Sequence, residues 1–240
     1  MKRWHFLYQN PETAKFSGDR GAVDAANRDR ALETPAARLF ANLRQEIGDE
    51  RVIQAMESVP RELFLPPEVR HLAYEDEALP IGEGQTISQP YIVALMTSAL
   101  ELTGQERVLE VGTGSGYQAA VLARLARAVV SVERKPALAG RARLLLASQR
   151  IANVIVHEVG EVLGWPDGAP YDAIIVTAAA PRIPRAFTCQ LKEGGRLVIP
   201  VGSRSEQHLV QATKRGEHLA IKRMGGCRFV PLVGPDAWTE

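Results

Sequence analysis

The chain of 240 residues is long enough to bury one large core and too short for two large domains. Apolar residues supply 45% and charged residues 24%, a balance that excludes wholesale disorder and fibrous repeats. Because 29 basic side chains meet 28 acidic ones, leaving a net charge of +1, no global field would draw the protein onto nucleic acid or an anionic membrane.

Residues 1–33 begin MKRWHFLYQN, which lacks the apolar run of a signal peptide, and they show no sustained periodicity. They read as an N-terminal extension outside the core. Its aromatics, Trp4, Phe6, Tyr8 and Phe16, leave two readings open: an arm that is poorly ordered or draped over its own domain, and an arm that binds a partner. From Thr34 the pattern turns helical. Thr34 is an N-cap candidate, Pro35 suits a first turn, and Leu39, Phe40, Leu43 and Ile47 recur at helical spacing up to Gly48. Asp49 is placed to cap a second helix with Val52, Ile53 and Met56 on its apolar face, and Pro60 stops it. A third, short helix is predicted from Pro66 and Pro67. The turn-rich stretch 78–91 then leads into an apolar helix over 92–100, with Ser88 or Gln89 as N-cap and Pro90 in the first turn.

Beyond Leu102, strands are predicted over 107–111, 128–132, 154–157, 173–177 and 196–201, all rich in Val, Ile and Leu, with helices over 117–127 and 136–149. Apolar strands without polar alternation, separated by helices, signal a parallel sheet covered on both faces. The tail over 207–232 reads as strands joined by short turns around 214–217, so an antiparallel edge is expected. Cys189 and Cys227 make neither a disulfide framework nor a CxxC pair, the histidines show no ligand spacing, and apolar runs such as 173–176 are too short to cross a bilayer. The expectation is a cytoplasmic protein without a metal or a membrane partner.

The most informative stretch is Val108-Leu-Glu-Val-Gly112-Thr-Gly114-Ser-Gly116-Tyr117, a strand entering a glycine-rich turn and then a helix. Such glycines let the backbone turn sharply and let a ligand approach the helix N-terminus. Their GxGxG spacing differs from the dinucleotide fingerprint, which needs GxGxxG and would put glycine where Tyr117 stands. Glu133, at the end of the next strand, can accept both hydrogen bonds of a ribose diol. Together these features resemble the class I S-adenosylmethionine-dependent methyltransferases. Upstream, PIGEGQTISQPY closely resembles the substrate-side loop of protein-L-isoaspartate O-methyltransferases, and VLEVGTGSGYQ, SVER, DAIIVTAAAP, LKEGGRLVIPVG and RFVPL match further family segments in the same order.

The resemblance implies a three-layer, doubly wound α/β domain of the class I methyltransferase type, mostly parallel, with an antiparallel edge and an N-terminal helical segment. Residues 34–240 would form it, with 34–100 as helical and substrate-loop segment and 101–235 as cofactor-binding sheet. It also implies the reaction: methyl passes from S-adenosylmethionine to the free α-carboxylate of an isoaspartyl residue in a peptide or protein, and the ester closes to a succinimide. Carried over residue by residue, Ser88 is the catalytic-site serine, and its role is positioning, since no histidine lies near in sequence to activate it. Gly112, Thr113, Gly114 and Gly116 surround the cofactor, with Glu133 on its ribose. Thr86, Ile87, Ala179, Ala180, Pro181 and Val230 fall in segments that wall the peptide site.

The sequence departs from the family between Val154 and Trp165, where a Gly-Asp-Gly turn usually holds the adenine amino group. Aligned on Gly164 and Trp165, the aspartate position falls on Gly160. Glu161 keeps two readings: an adenine contact through its longer side chain, and a solvated surface carboxylate. Two alternatives accompany the repair reading, a relative that methylates an aspartate of one dedicated precursor peptide and a non-catalytic cofactor-binding protein. A nucleic-acid methyltransferase would carry Pro-Pro-aromatic after the fourth strand and a basic groove, where this chain has Thr177-Ala-Ala-Ala-Pro181.

Overall fold

The computed structural model describes residues 34–239. The extension over 1–33, with its aromatic residues, lies outside them. Helix α1 (Pro35–Ile47) buries Leu39, Phe40 and Leu43, the stripe set by the helical period. Helix α2 (Glu50–Glu57) is capped as the sequence requires, since Asp49 Oδ1 accepts from the Val52 amide at 3.3 Å. Two 3-10 turns follow, Arg61–Phe64 and Pro67–Leu72, the second where Pro66 and Pro67 predicted a short helix. The stretch expected as a loop contains a hairpin, β1 (Leu79–Gly82) and β2 (Gln85–Ile87), too short and too proline-interrupted to show alternation. Helix α3 (Pro90–Ser98) comes next.

Among the described residues seven strands form the main sheet: β3 (Arg107–Val111), β4 (Ala128–Glu133), β5 (Val154–Glu158), β6 (Tyr171–Val176), β7 (Leu191–Gly202), β8 (Gln207–Arg215) and β9 (His218–Cys227). Their order is β5-β4-β3-β6-β7-β8-β9, parallel up to β7 and antiparallel beyond. Helices α4 (Tyr117–Leu122), α5 (Pro136–Ser148) and α6 (Arg185–Gln190) complete the crossovers. Helix α4 stops five residues before its predicted end because Asn153 Nδ2 donates to the Ala123 and Ala126 carbonyls, satisfying groups a longer helix would have used internally. Helix α6, and the long start of β7 before the predicted 196–201, were not legible in the local pattern.

Both faces of the sheet are covered, as the unbroken apolar strands require. Val108, Val129, Ala173 and Val198 point into a core shared with α1 to α5, and Leu109, Val130, Ile174 and Leu197 into a second core with Phe187 of α6 and Leu232 of the tail. Leu109 and Ile174 are both fully buried, and each such side chain contributes roughly 1.5–3 kcal/mol. Among the described residues, strand β9 forms one long edge of the sheet.

Candidate active site

The chain order reverses around β3: the connection through α4 leads to β4 on one side, whereas β6 on the other is reached only after β5. The crevice at the carboxyl ends of such strands is where open α/β sheets bind ligands. Here it is lined by residues in and after β2, after β3, β4, β5 and β6, and in the tail.

The glycine loop forms its floor. Gly112, with φ +100°, is the position where only glycine fits, because a Cβ there would strike Thr177 Oγ1. Thr177 uses that closeness, donating its hydroxyl to the Gly112 carbonyl at 2.8 Å and locking the end of β6 to the loop. The amides of Gly112 and Thr113 both donate to the Val132 carbonyl, at 2.9 and 3.1 Å, so the loop folds back over β4. Glu133 ends β4 with 8% exposure, its Oε2 accepting from the Gly114 amide at 2.8 Å and its Oε1 from the Lys135 amide at 2.9 Å. Each oxygen retains a further acceptor site, enough for the two hydroxyls of a ribose.

Beneath the loop lies a group that sequence reading missed. Glu110 is fully buried in β3; its Oε2 accepts a short hydrogen bond from Ser131, whose hydroxyl also meets Thr113, and its Oε1 has no partner. Burial pushes its pKa up to about 8, so it is held protonated at neutral pH. The signal was present in the sequence, since an acid between Leu109 and Val111 on a doubly covered strand has nowhere exposed to go.

The opposite wall is the β1–β2 hairpin and the segment after it. Pairing runs Pro80 with Thr86 and then Gly82 with Gln85, so Ile81 is the extra residue of a bulge. The bulge carries Ile81 to the glycine loop, where a Cβ on Gly114 would meet its Cδ1 at 3.4 Å, and its carbonyl accepts from Arg141 Nη2 at 3.0 Å. Thr86, Ile87 and Ser88 line the crevice beyond it. Ser88 is half-buried, and its hydroxyl has no partner among the described residues. The cap of α3 differs from the expectation in its acceptor. Gln89 occupies the N-cap without a side-chain cap bond, and Asp76 Oδ1 accepts from the Tyr91 amide at 2.8 Å instead.

Of the predicted site residues, Ser88, Thr86, Ile87, Gly112, Thr113, Gly114, Glu133 and Val230 are brought to one crevice. The others are not. Gly116 turns away, and a Cβ on it would come within 3.3 Å of Ala142, so its role is to let α5 pack against the loop. Ala179 and Ala180 are fully buried backbone anchors: the Ala179 amide donates to the Val230 carbonyl at 2.8 Å and the Ala180 amide to the Pro200 carbonyl at 3.1 Å. They fix the tail that forms the wall, while Pro181 stands exposed outside it. Glu161 is exposed and absent from the lining, which at that end consists of Val159, Val162, Leu163 and Gly164. Gln190 holds this rim by accepting from the Trp165 amide at 2.8 Å and donating to the Leu163 carbonyl at 2.9 Å.

The chain matches the model of the family protein-L-isoaspartate(D-aspartate) O-methyltransferase over residues 34–237. It is 52% identical over 211 residues to protein-L-isoaspartate O-methyltransferase 1 of Syntrophobacter fumaroxidans, covering 88% of this chain and 96% of that one. It is 56% identical over 192 residues to the enzyme of that name from Methanoculleus marisnigri, covering 80% and 87%. A solved protein-L-isoaspartate O-methyltransferase superposes with a TM-score of 0.76 at 31% identity, covering 84% of this chain and 67% of that one. A Plasmodium falciparum relative solved with S-adenosyl-L-homocysteine gives a TM-score of 0.72 at 25% identity, covering 82% and 98%. The chain therefore belongs to the protein-L-isoaspartate O-methyltransferase family.

Proposed function

We propose that the protein transfers a methyl group from S-adenosylmethionine to the free α-carboxylate of L-isoaspartyl residues in peptides and proteins. The observation that carries this reading is the meeting, in one crevice, of a glycine cradle and ribose-ready carboxylate with an unengaged serine hydroxyl on the facing wall. The residues fit the cofactor. Gly112 and Gly114, in backbone conformations that side chains rarely adopt, bring the loop to the crevice floor, and Glu133 offers two acceptor sites at the end of β4. When bound, S-adenosylmethionine supplies a methyl carbon on a sulfonium, so that a C–O bond forms as the C–S bond breaks and S-adenosylhomocysteine leaves.

A carboxylate with a pKa of about 3.5 to 4 is already ionised at neutral pH, so no side chain need remove a proton. The protein's task is alignment and exclusion of water. Ser88 donates its hydroxyl to the substrate carboxylate and fixes one oxygen toward the methyl. Thr86, Ile87 and Val230 flank the peptide around it. At one end of the crevice Val159, Val162 and Leu163 would hold the adenine of a bound cofactor through apolar contact, with Glu161 in solvent. The ester then closes to a succinimide without further help from the enzyme, and its hydrolysis restores part of the aspartate. Residues 34–240 carry this chemistry, with 34–100 supplying the substrate wall. The unpaired Cys189 and Cys227 and the near-neutral net charge suit a cytoplasmic protein acting on peptides and not on nucleic acid. Among the described residues no helix is long and apolar enough to cross a membrane.

The test is transfer of labelled methyl to a matched pair of peptides, one isoaspartyl and one aspartyl. Base-labile label confined to the isoaspartyl peptide is the expected result. Equal labelling of both, or label that resists base, would sink the reading.

A further inference from the structure

We propose that Arg61 and Asp76 are positioning residues for methyl transfer, which together hold the Ser88 segment in register with the glycine loop. The proposal rests on the methyl-transfer reading above. It begins from a cation in an unusual place. Arg61 is 1% exposed, and among the described residues no carboxylate lies within 4 Å of it. A buried unpaired guanidinium is costly, and a methionine would fill similar volume without that cost. What methionine lacks is a rigid fork that binds two carbonyls while its plane lies against a ring.

Arg61 does both. Its Nε donates to the Ala73 carbonyl at 2.9 Å and its Nη2 to the Glu77 carbonyl at 3.4 Å, gripping the two ends of a short strap. Its guanidinium carbon sits 5.1 Å from the ring centroid of Tyr117, which opens α4 directly after the glycine loop and lines the crevice. The strap is thereby tied to the cofactor side. Between the gripped carbonyls lies Asp76, which reaches the substrate side: Oδ1 accepts from the Tyr91 amide and Oδ2 from Gln89 Nε2, both at 2.8 Å.

Gln89 and Tyr91 straddle Pro90 and follow Ser88 immediately. Because the Ser88 hydroxyl has no partner among the described residues, its place is set through the backbone, by the pairing of Ile87 with Leu79 on one side and by Asp76 on the other. Arg61 and Asp76 thus join the two walls through one strap. Misplacing a reacting group by about 1 Å can cost a hundredfold in rate, so a loosened strap is expected to appear in turnover more than in cofactor binding.

The experiment compares full-length Asp76→Ala, Asp76→Asn and Arg61→Lys with the wild type. It reads kcat and KM for an isoaspartyl peptide, the dissociation constant of S-adenosylhomocysteine by calorimetry, the melting temperature, and hydrogen exchange at the Tyr91 amide. Asp76→Ala is expected to lower kcat tenfold or more with the dissociation constant within twofold, and to speed Tyr91 exchange at least tenfold. Asp76→Asn keeps an acceptor for the Tyr91 amide and should recover most of kcat, whereas Arg61→Lys keeps the charge, loses the fork and should reproduce the loss. Unchanged kcat despite fast Tyr91 exchange would overturn the proposal. So would a parallel fall of cofactor affinity and melting temperature, the mark of a purely structural role. A wild type that transfers no methyl, with Tyr91 exchange still accelerated in Asp76→Ala, would overturn the methyl-transfer reading and the catalytic half of the proposal while the strap itself stands.

Discussion

The two walls of the crevice are held by different means. On the cofactor side the loop is fixed mainly through its own backbone amides: Gly112 and Thr113 donate to Val132, and Gly114 to the carboxylate that ends β4. On the substrate side a three-residue strand and a free serine hydroxyl depend on side chains far away in sequence, Asp76 reaching 15 residues to Tyr91 and Arg141 reaching 60 to Ile81. A wall set by backbone geometry tolerates almost no change at its glycines and much elsewhere. A wall set by side-chain tethers spreads its sensitivity over residues that never meet the substrate.

Substitutions can break or sharpen that contrast. The largest effect is expected from Gly112→Ala, since alanine at φ +100° is strained by about 1–3 kcal/mol before its contact with Thr177 is counted. Cofactor affinity should fall more than a hundredfold by calorimetry. Adding Thr177→Ala should restore part of it, and no recovery would mean that the backbone angle alone decides. Glu133→Ala is next: losing a charge-assisted ribose contact of about 1.5–3 kcal/mol should raise the cofactor dissociation constant tenfold or more. An unchanged constant would remove Glu133 from the site.

Ser88→Ala should cut kcat/KM for the isoaspartyl peptide about tenfold while cofactor affinity holds, the cost of one hydrogen bond of roughly 1 kcal/mol or slightly more. Full activity at saturating cofactor would count against its positioning role. Glu110 gives a smaller effect per pH unit, with a definite sign. Its folded pKa of about 8 lies above the ordinary 4.5, so between these values the native state binds the extra proton and stability falls as pH rises. Denaturation midpoints of Glu110→Gln should therefore lose a slope of roughly 1 kcal/mol per pH unit that the wild type shows across this window. Parallel curves would show that Glu110 is ionised in the fold. The smallest effect belongs to Glu161→Ala, expected to leave cofactor affinity within twofold; a larger change would bring the exposed carboxylate back into contact with the adenine.

The same contrast explains what could be read before any coordinates. Strand β3 falls on the predicted residues, and β4, β5 and β6 differ by one or two at an end, because an apolar run between helices has few alternatives in a covered parallel sheet. The meeting of Glu133 with Gly112 and Gly114 in one crevice was legible because the loop's geometry is local. Spacing alone does not separate a glycine that admits a cofactor from one that, like Gly116, admits Ala142. Ala179 and Ala180 were read as walls for a similar reason: small residues look alike whether they make room for a peptide or lock a tail through their amides. The hairpin escaped because its strands are too short to set a pattern, and Asp76 and Arg61 because their partners lie a dozen or more residues away, where no local period records such a bond.

The edge at β9 bears on how copies of the protein behave when crowded. A ten-residue edge strand with no further strand beside it among the described residues, and with Ile221 58% exposed, is the kind of surface on which a foreign strand could nucleate a shared sheet. Lys222 and Arg223 follow Ile221, and the pairing with β8 skips Met224, so charge and a bulge both interrupt a flat template. The exposed edge of the sheet thereby carries its own protection against strand-to-strand joining.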